Sequence, residues 1–463
     1  MLGIGIAARI TRRPRTALTR QMEDSAANIN PVALTFLAIM SLVILNAKRP
    51  HAVGAVLVTA AFVPLGQNLV IFGYHFYFMR LLVLVGFARV IMRREYARFQ
   101  WVKADKLFLW WVVIGFLCGL LRGPTAETFG FVYDSCGIYF MLRILTPDAE
   151  DLLTHLKVLA GAAIVMACCM SWEAINHRNL FSVLGGVPES PLVRDGRVRA
   201  QGPFRHSILA GTFGATLFPL MAGLWFQLRR RRWIASVAGI ACIVATAASG
   251  SSGPMLCLIV SVGGLGLWRV RHRLSLIRKS IVFGIVALAL IMNAPVWYLI
   301  SRVSELAGGT GWYRSYLIDQ AIKHIGEWWL IGSSHTAHWA SVENVLISNP
   351  NSMDITNHYL VQGLDGGLLM VTLFLALIWR NFKTIGLAGK EGNLPLDKML
   401  IWAFGVALLS HCAAFISVSY FDQIKVFWFW LLAAIAALAP SSHGSETVKA
   451  SVESEGVAAA VSG

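Results

Sequence analysis

Charge is scarce in this chain. Only 14% of its 463 residues are Asp, Glu, Lys or Arg, against roughly a quarter in an average soluble domain. So little polar surface excludes a water-soluble fold of this length. Long polar stretches are missing too: apolar runs recur from residue 32 to residue 440 with no polar domain between them, which excludes a string of soluble domains. The seven cysteines (Cys118, Cys136, Cys168, Cys169, Cys242, Cys257, Cys412) lie in or beside apolar runs and none forms a C-x-x-C pair. Neither a disulfide framework nor a zinc ribbon is expected. No short-period repeat recurs. The first 20 residues lack the apolar stretch of a cleavable leader, so the first span is expected to serve as the insertion signal.

What is abundant is apolar: 56% of residues are hydrophobic, with 16 Trp and 25 Phe. The expected class is all-α, a polytopic membrane protein, because about 20 apolar residues in helical form cross a bilayer core. Runs lie near 32–48, 51–66, 74–92, 107–121, 128–145, 152–173, 205–227, 233–249, 253–268, 281–300, 357–379, 399–419 and 422–439. The net charge of +16 gathers in short connectors: Arg9 to Arg20, Arg93 to Lys106, Arg229 to Arg232 and Arg269 to Lys279. By the positive-inside bias these are cytoplasmic. Clusters separated by spans do not form a nucleic-acid surface. Thirteen full crossings would put the basic N-terminus outside, and a cytoplasmic N-terminus requires twelve. The short first two runs, parted only by Ala47-Lys48-Arg49-Pro50, are expected to supply one incomplete crossing. The expectation is therefore about 12 transmembrane helices, both termini inside and one large periplasmic loop containing short helices. Its segments are a basic N-terminus (1–31), an N-terminal bundle (32–300), the loop (301–356), C-terminal spans (357–440) and a disordered cytoplasmic tail (441–463).

Two connectors fall on the outer side. One, near 174–204, carries Arg194, Arg197 and Arg199. The other, 301–356, holds Trp312, Trp328, Trp329 and Trp339; within it, Trp312 to Ile325 predicts an amphipathic helix with Leu317, Ala321 and Ile325 on one face.

Four places carry groups capable of chemistry. Arg80 stands among Tyr77-Phe78-Met79 and Leu81-Leu82-Val83, where a charge is expensive; it either snorkels or pairs structurally, or it meets an anionic ligand. Gln201-Gly202-Pro203-Phe204-Arg205-His206-Ser207 breaks the chain just before a helix, so free backbone N–H groups, Arg205 and His206 could hold an anion such as a diphosphate; the alternative is an interfacial anchor. Gly311-Trp312-Tyr313-Arg314-Ser315-Tyr316 sets an Arg among rings, suited to a sugar diphosphate by its guanidinium fork or, alternatively, an aromatic belt. Asp354-Ile355-Thr356-Asn357-His358-Tyr359-Leu360, followed by Gly363, Gly366 and Gly367, puts a His at the mouth of a span. That His is either a general base or a capping group, and His324, His335 and His338 compete for the role of base.

In this order, and over about residues 200–380, the pieces resemble the O-antigen ligase superfamily, which includes Wzy-type repeat-unit polymerases. The resemblance implies a bacterial inner-membrane glycosyltransferase with its site on the periplasmic face. It implies an undecaprenyl-diphosphate-linked oligosaccharide as donor and an acceptor glycan, with a flippase and a chain-length regulator as further partners. No cofactor and no metal are implied. Arg205 and Arg314 would bind the leaving diphosphate. His358 would deprotonate the acceptor, with inversion at the sugar, while Arg80, His206, Trp312, Tyr313, Asn357 and Tyr359 would contact substrate. One departure stands out. The family commonly places His-Asn before Tyr-Leu. Anchored on Tyr359-Leu360, that His position falls on Thr356, and His358 comes two residues later, about 200° around a helix. The close glycines favour polymerase; ligase is the alternative. A lipid-linked sugar transporter is the rival class, but related halves and broken midplane spans are not legible.

Overall fold

Each of the thirteen apolar runs overlaps a helix in the computed structural model, which describes residues 30–64, 66, 68–71, 74–194, 196–306, 311–340, 347–349, 352–390 and 394–439. The basic residues 1–29 and the tail 441–463 lie outside the described residues. Helix is the natural state for such runs because it satisfies every backbone group within the segment. The elements are α1 (Pro31–Asn46), α2 (Arg49–Phe62), α3 (Phe78–Met92), α4 (Lys103–Leu121), α5 (Ala126–Leu145), α6 (Asp151–Asn176), α7 (Ser207–Gln227), α8 (Arg232–Ala248), α9 (Ser252–Gly266), α10 (Leu274–Ile291), α11 (Tyr298–Leu306), α12 (Gly311–Lys323), α13 (Ile325–Trp328), α14 (His358–Ala388), α15 (Lys398–Ala414) and α16 (Gln423–Ala437). Among the described residues, five helical stretches are long and apolar enough to cross a membrane: α4, α6, α7, the kinked stretch Ser252–Ile291 that holds α9 and α10, and α14. Four more, α1, α8, α15 and α16, are apolar but shorter. Helix α10 buries none of its residues, and Phe283, Leu290 and Ile291 are all exposed.

The molecule is mostly helical but not purely so. Among the described residues, three antiparallel hairpins interrupt it: β1 (Asn68–Ile71) with β2 (Tyr74–Tyr77), β3 (Leu192–Arg194) with β4 (Arg197–Arg199), and β5 (Ile347–Asn349) with β6 (Ser352–Met353). The apolar run beginning near 74 therefore starts as strand and turns helical only at Phe78.

Helix α7 is largely enclosed, with most of its residues buried. Its small residues let neighbours come close: a Cβ at Gly211 would meet Ser249 Oγ at 2.3 Å, and one at Gly223 would meet Ala403 Cβ at 2.5 Å. Close backbone approach through glycine is how apolar helices gain contact where no hydrophobic force separates them from lipid.

Helix α14 is broken, an interruption that is not legible in the sequence. Gly366 (φ −161°, ψ 26°) and Gly367 (φ 68°, ψ −169°) leave helical geometry. The segment from Trp328 to Ser333 fills the break: Leu368 N–H donates to the Trp329 carbonyl at 2.8 Å, and Ser333 N–H to the Leu364 carbonyl at 2.9 Å. Arg122, just past α4, donates to the carbonyls of Ile331, Leu364 and Asp365 at 2.6, 2.8 and 2.7 Å. Protein groups thus satisfy the freed carbonyls, as an interrupted apolar helix requires.

The predicted amphipathic helix exists as α12, with Leu317 and Ala321 buried. Its stripe stops there, because the chain turns at His324 and leaves Ile325 44% exposed. Tyr313, Leu317, Ala321, Trp328, Trp339 and Met353 form a small core separate from the helical bundle.

Candidate functional site

A cavity of about 770 Å³ opens where hairpin β3–β4, the N-termini of α7 and α9, helix α12, the strand end at Asp354 and the turn after α15 converge. Its walls begin with a turn that the sequence makes unavoidable. Gly202 takes φ +55°, and Pro203 cannot continue a strand or a helix. The buried Glu173 carboxylate accepts from Gln201 N–H at 3.0 Å and Gly202 N–H at 2.8 Å. The Gln423 amide donates to the Pro203 carbonyl at 2.8 Å. With the turn held, α7 starts at Ser207 behind His206, whose side chain makes no capping bond. Helix α9 likewise starts behind Ser251 without a side-chain cap. Ser207, Ile208, Ser251, Ser252 and Gly253 all line the cavity, so two helix N-termini present their positive ends to it.

Arginines add to this field. In the hairpin, Arg194 pairs in register with Arg197, Arg199 follows two residues on, and all three line the cavity. Arg199 donates to Ser251 Oγ at 2.5 Å, while its buried Nε has no partner among the described residues. Burial, with Arg194 nearby, pushes the Arg199 guanidinium below its ordinary pKa. Arg314 enters from α12, is 6% exposed, and is pushed down by burial as well. Among the described residues, the carboxylate in the lining is that of Asp354. Burial raises its pKa and His206 pulls it back. His206 is lowered, first by burial and then by Arg205, against the upward pull of Asp354 and Asp422. Several cations and two helix N-termini around one carboxyl make a site for an anion with a proton acceptor beside it.

Of the residues singled out from sequence, Arg314, His206 and Tyr313 line this cavity. The others stand elsewhere. Arg205 is exposed beside the turn and is not part of the lining. Trp312 is 44% exposed and packs edge-on against Tyr313 at 5.6 Å. Asn357 is the N-cap of α14, accepting from Tyr359 N–H at 3.0 Å and Leu360 N–H at 3.2 Å. Tyr359 donates to the Cys412 carbonyl at 3.0 Å and packs on Phe374 and Phe415. Arg80 forms a bidentate pair with Asp134 at 2.7 and 2.8 Å. It therefore takes the structural one of its two sequence readings.

His358 is the largest departure. It is buried at the start of α14, where Nδ1 accepts from Tyr420 N–H at 3.2 Å and Nε2 lies 3.3 Å from the Gln362 amide nitrogen. The ring packs among Phe374, Phe415 and Tyr420 and does not line the cavity. Thr356, two residues earlier, does. Comparison with protein-family profiles, curated proteins and solved structures finds no match for this chain. The site therefore rests on its own geometry.

Sequence reasoning passed over the hairpin arginines as site residues, although Arg194-Asp195-Gly196-Arg197 carries the Asp-Gly signal of a tight hairpin. With Arg197 and Arg199 on one face of a strand, that signal could have found them. Glu173 was missed because nothing local distinguishes a clamp on a distant turn. A second cluster was also unforeseen: His324, Glu327 and His338 come together just past the C-terminal end of α12, where no metal-ligand set was expected.

Proposed function

We propose that this chain is a membrane glycosyltransferase that polymerises oligosaccharide repeats carried on a polyprenyl diphosphate, with about twelve crossings and its cavity on the outer face of the bacterial inner membrane. The observation that carries the reading is the cavity's composition: among the described residues, Arg194, Arg197, Arg199, Arg314 and two helix N-termini without side-chain caps line it together with the carboxylate of Asp354. Thr356 lends support, since the position that the Tyr359-Leu360 register assigns to the family's His does line the cavity.

In this reading the donor diphosphate lies between Arg199, Arg314 and the α7 and α9 N-termini. An acceptor hydroxyl attacks the anomeric carbon from the face opposite the diphosphate. The new C–O bond forms as the bond to the diphosphate oxygen breaks, and configuration inverts. The diphosphate leaves with the electron pair, its growing charge met by donors already in place. Asp354 takes the hydroxyl proton, with its carboxyl raised towards the working range by burial. His206 tunes that carboxyl. His358 holds the α14 entrance against the Tyr420 turn and takes no proton.

Purified protein supplied with undecaprenyl-diphosphate-linked repeats should convert them into a ladder of longer chains. Lipid binding or movement without a new glycosidic bond would sink the reading. A deletion strain should lose chains beyond one repeat; full-length chains left on the carrier would make the protein a ligase. For topology, a cysteine replacing Ser352 should react with an impermeant thiol reagent in permeabilised cells, and one replacing Ser275 should not.

A further inference from the structure

We propose that the corner made by the end of α12, the start of α13 and the turn Ala337–Trp339 binds one zinc-class divalent cation through His324, Glu327 and His338. This inference is independent of the glycosyltransferase reading.

The three side chains already converge. Glu327 Oε1 lies 2.7 Å from His324 Nδ1, and Glu327 Oε2 lies 2.9 Å from His338 Nε2. The ligand atoms of all three residues fall within 4.8 Å of one another. Around tetrahedral zinc, with bonds of about 2.0–2.2 Å, ligand atoms stand about 3.3–3.5 Å apart, so Glu327 has to open from each imidazole by a fraction of an ångström while the two imidazoles, within 4.8 Å of each other, settle to the same spacing. Two imidazoles and one carboxylate suit zinc, whereas calcium and magnesium take all-oxygen sets. Three protein ligands leave one position for water.

Supporting contacts already orient the ligands. Trp339, 1% exposed, donates its indole N–H to Glu327 Oε2 at 3.0 Å. Its ring stacks on His324 at 5.2 Å with a 13° interplanar angle. A hydrogen-bond donor on a ligating carboxylate and a packed imidazole are the outer-shell features that hold metal ligands in place.

None of the three residues lines the cavity, so the cation acts as a clip. It ties together parts that bear on the cavity: Tyr316 of α12 donates to the Trp339 carbonyl at 2.7 Å, and Met353 N–H donates to Thr336 Oγ1 at 3.1 Å, just before Asp354.

The test uses full-length protein in detergent, purified without a polyhistidine tag, stripped with chelator and titrated with zinc chloride. Wild type should bind one zinc ion per chain by calorimetry and retain it by metal analysis. His338→Ala, at an exposed position, should weaken binding by about 100-fold or more. Trp339→Phe should weaken it about 10–100-fold, the usual cost of losing an outer-shell partner. Zinc should raise the melting temperature of wild type and leave that of His338→Ala unchanged. Absence of a stoichiometric site in wild type would overturn the proposal. So would wild-type affinity in both His338→Ala and Glu327→Gln, or tighter binding of calcium or magnesium than of zinc.

Discussion

The Tyr313 hydroxyl donates to the Asp354 carbonyl oxygen at 2.7 Å. Tyr313 precedes Arg314 on α12, so one hydrogen bond ties the helix bearing the cavity's most buried arginine to the strand end bearing its carboxylate. Burial beside Asp354 raises the Tyr313 pKa and keeps the phenol a donor. The positions of the Arg314 cation and the Asp354 carboxyl are thus set together.

Asp354 and His358 should separate chemistry from packing. Asp354→Asn keeps size and hydrogen bonding but cannot take a proton, and loss of a general base typically costs about 10²–10⁴ in rate. His358→Gln loses a buried acceptor for Tyr420 N–H, which costs about 1–3 kcal/mol of stability and little rate. Turnover and melting temperature, measured on both, check this. A fast Asp354→Asn with an inactive, well-folded His358→Gln would restore His358 as the base.

The pH profile has a defined sign. Burial raises Asp354 and His206 lowers it, so the acid limb of kcat/KM should lie above the ordinary aspartate value of about 3.9. Activity falls as pH drops through that raised value, because the protonated carboxyl cannot accept the acceptor's proton. Removing the opposing influence in His206→Ala should move the limb further up. A limb that moves down would detach His206 from Asp354.

The arginines should not be equivalent. Lys at position 314 or 199 keeps charge but loses the guanidinium fork, and activity should drop about tenfold or more, within the reach of a lost transition-state donor. Arg205→Lys, outside the cavity lining, should stay within a few-fold of wild type. Assays of all three variants at equal membrane expression decide between these outcomes. A severe Arg205→Lys beside a mild Arg199→Lys would reverse the assignment.

Arg80 and Asp134 should behave as a pair. Removing either leaves an uncompensated, partly buried charge, so Arg80→Ala and Asp134→Ala should each cost about 1–3 kcal/mol. The double variant should be more stable than that sum implies. Strictly additive losses in detergent melting curves would mean that the bidentate contact carries no coupling.

How much was legible depends on whether a property is local. Membrane-length apolar helices, the Gly202-Pro203 turn before α7 and the apolar stripe of α12 follow from residues a few positions apart, because hydropathy, proline chemistry and helical periodicity act over one or two turns. The sequence by itself therefore determined that the chain is mostly apolar helix and roughly where those helices lie. Where a side chain finds its partner is a different matter. His358 reads as a residue at a helix mouth, yet α15 and the Tyr420 turn pack over it and engage its Nδ1. Arg80 reads as a lone intramembrane charge until α5 brings up Asp134. Arg199 belongs to a connector in sequence and to a cavity wall in space, because hairpin β3–β4 folds against Ser251 at the head of α9. Only the tertiary structure decided these, since each depends on a group 52 to 62 residues away whose approach is set by helix packing and leaves no trace in the local pattern.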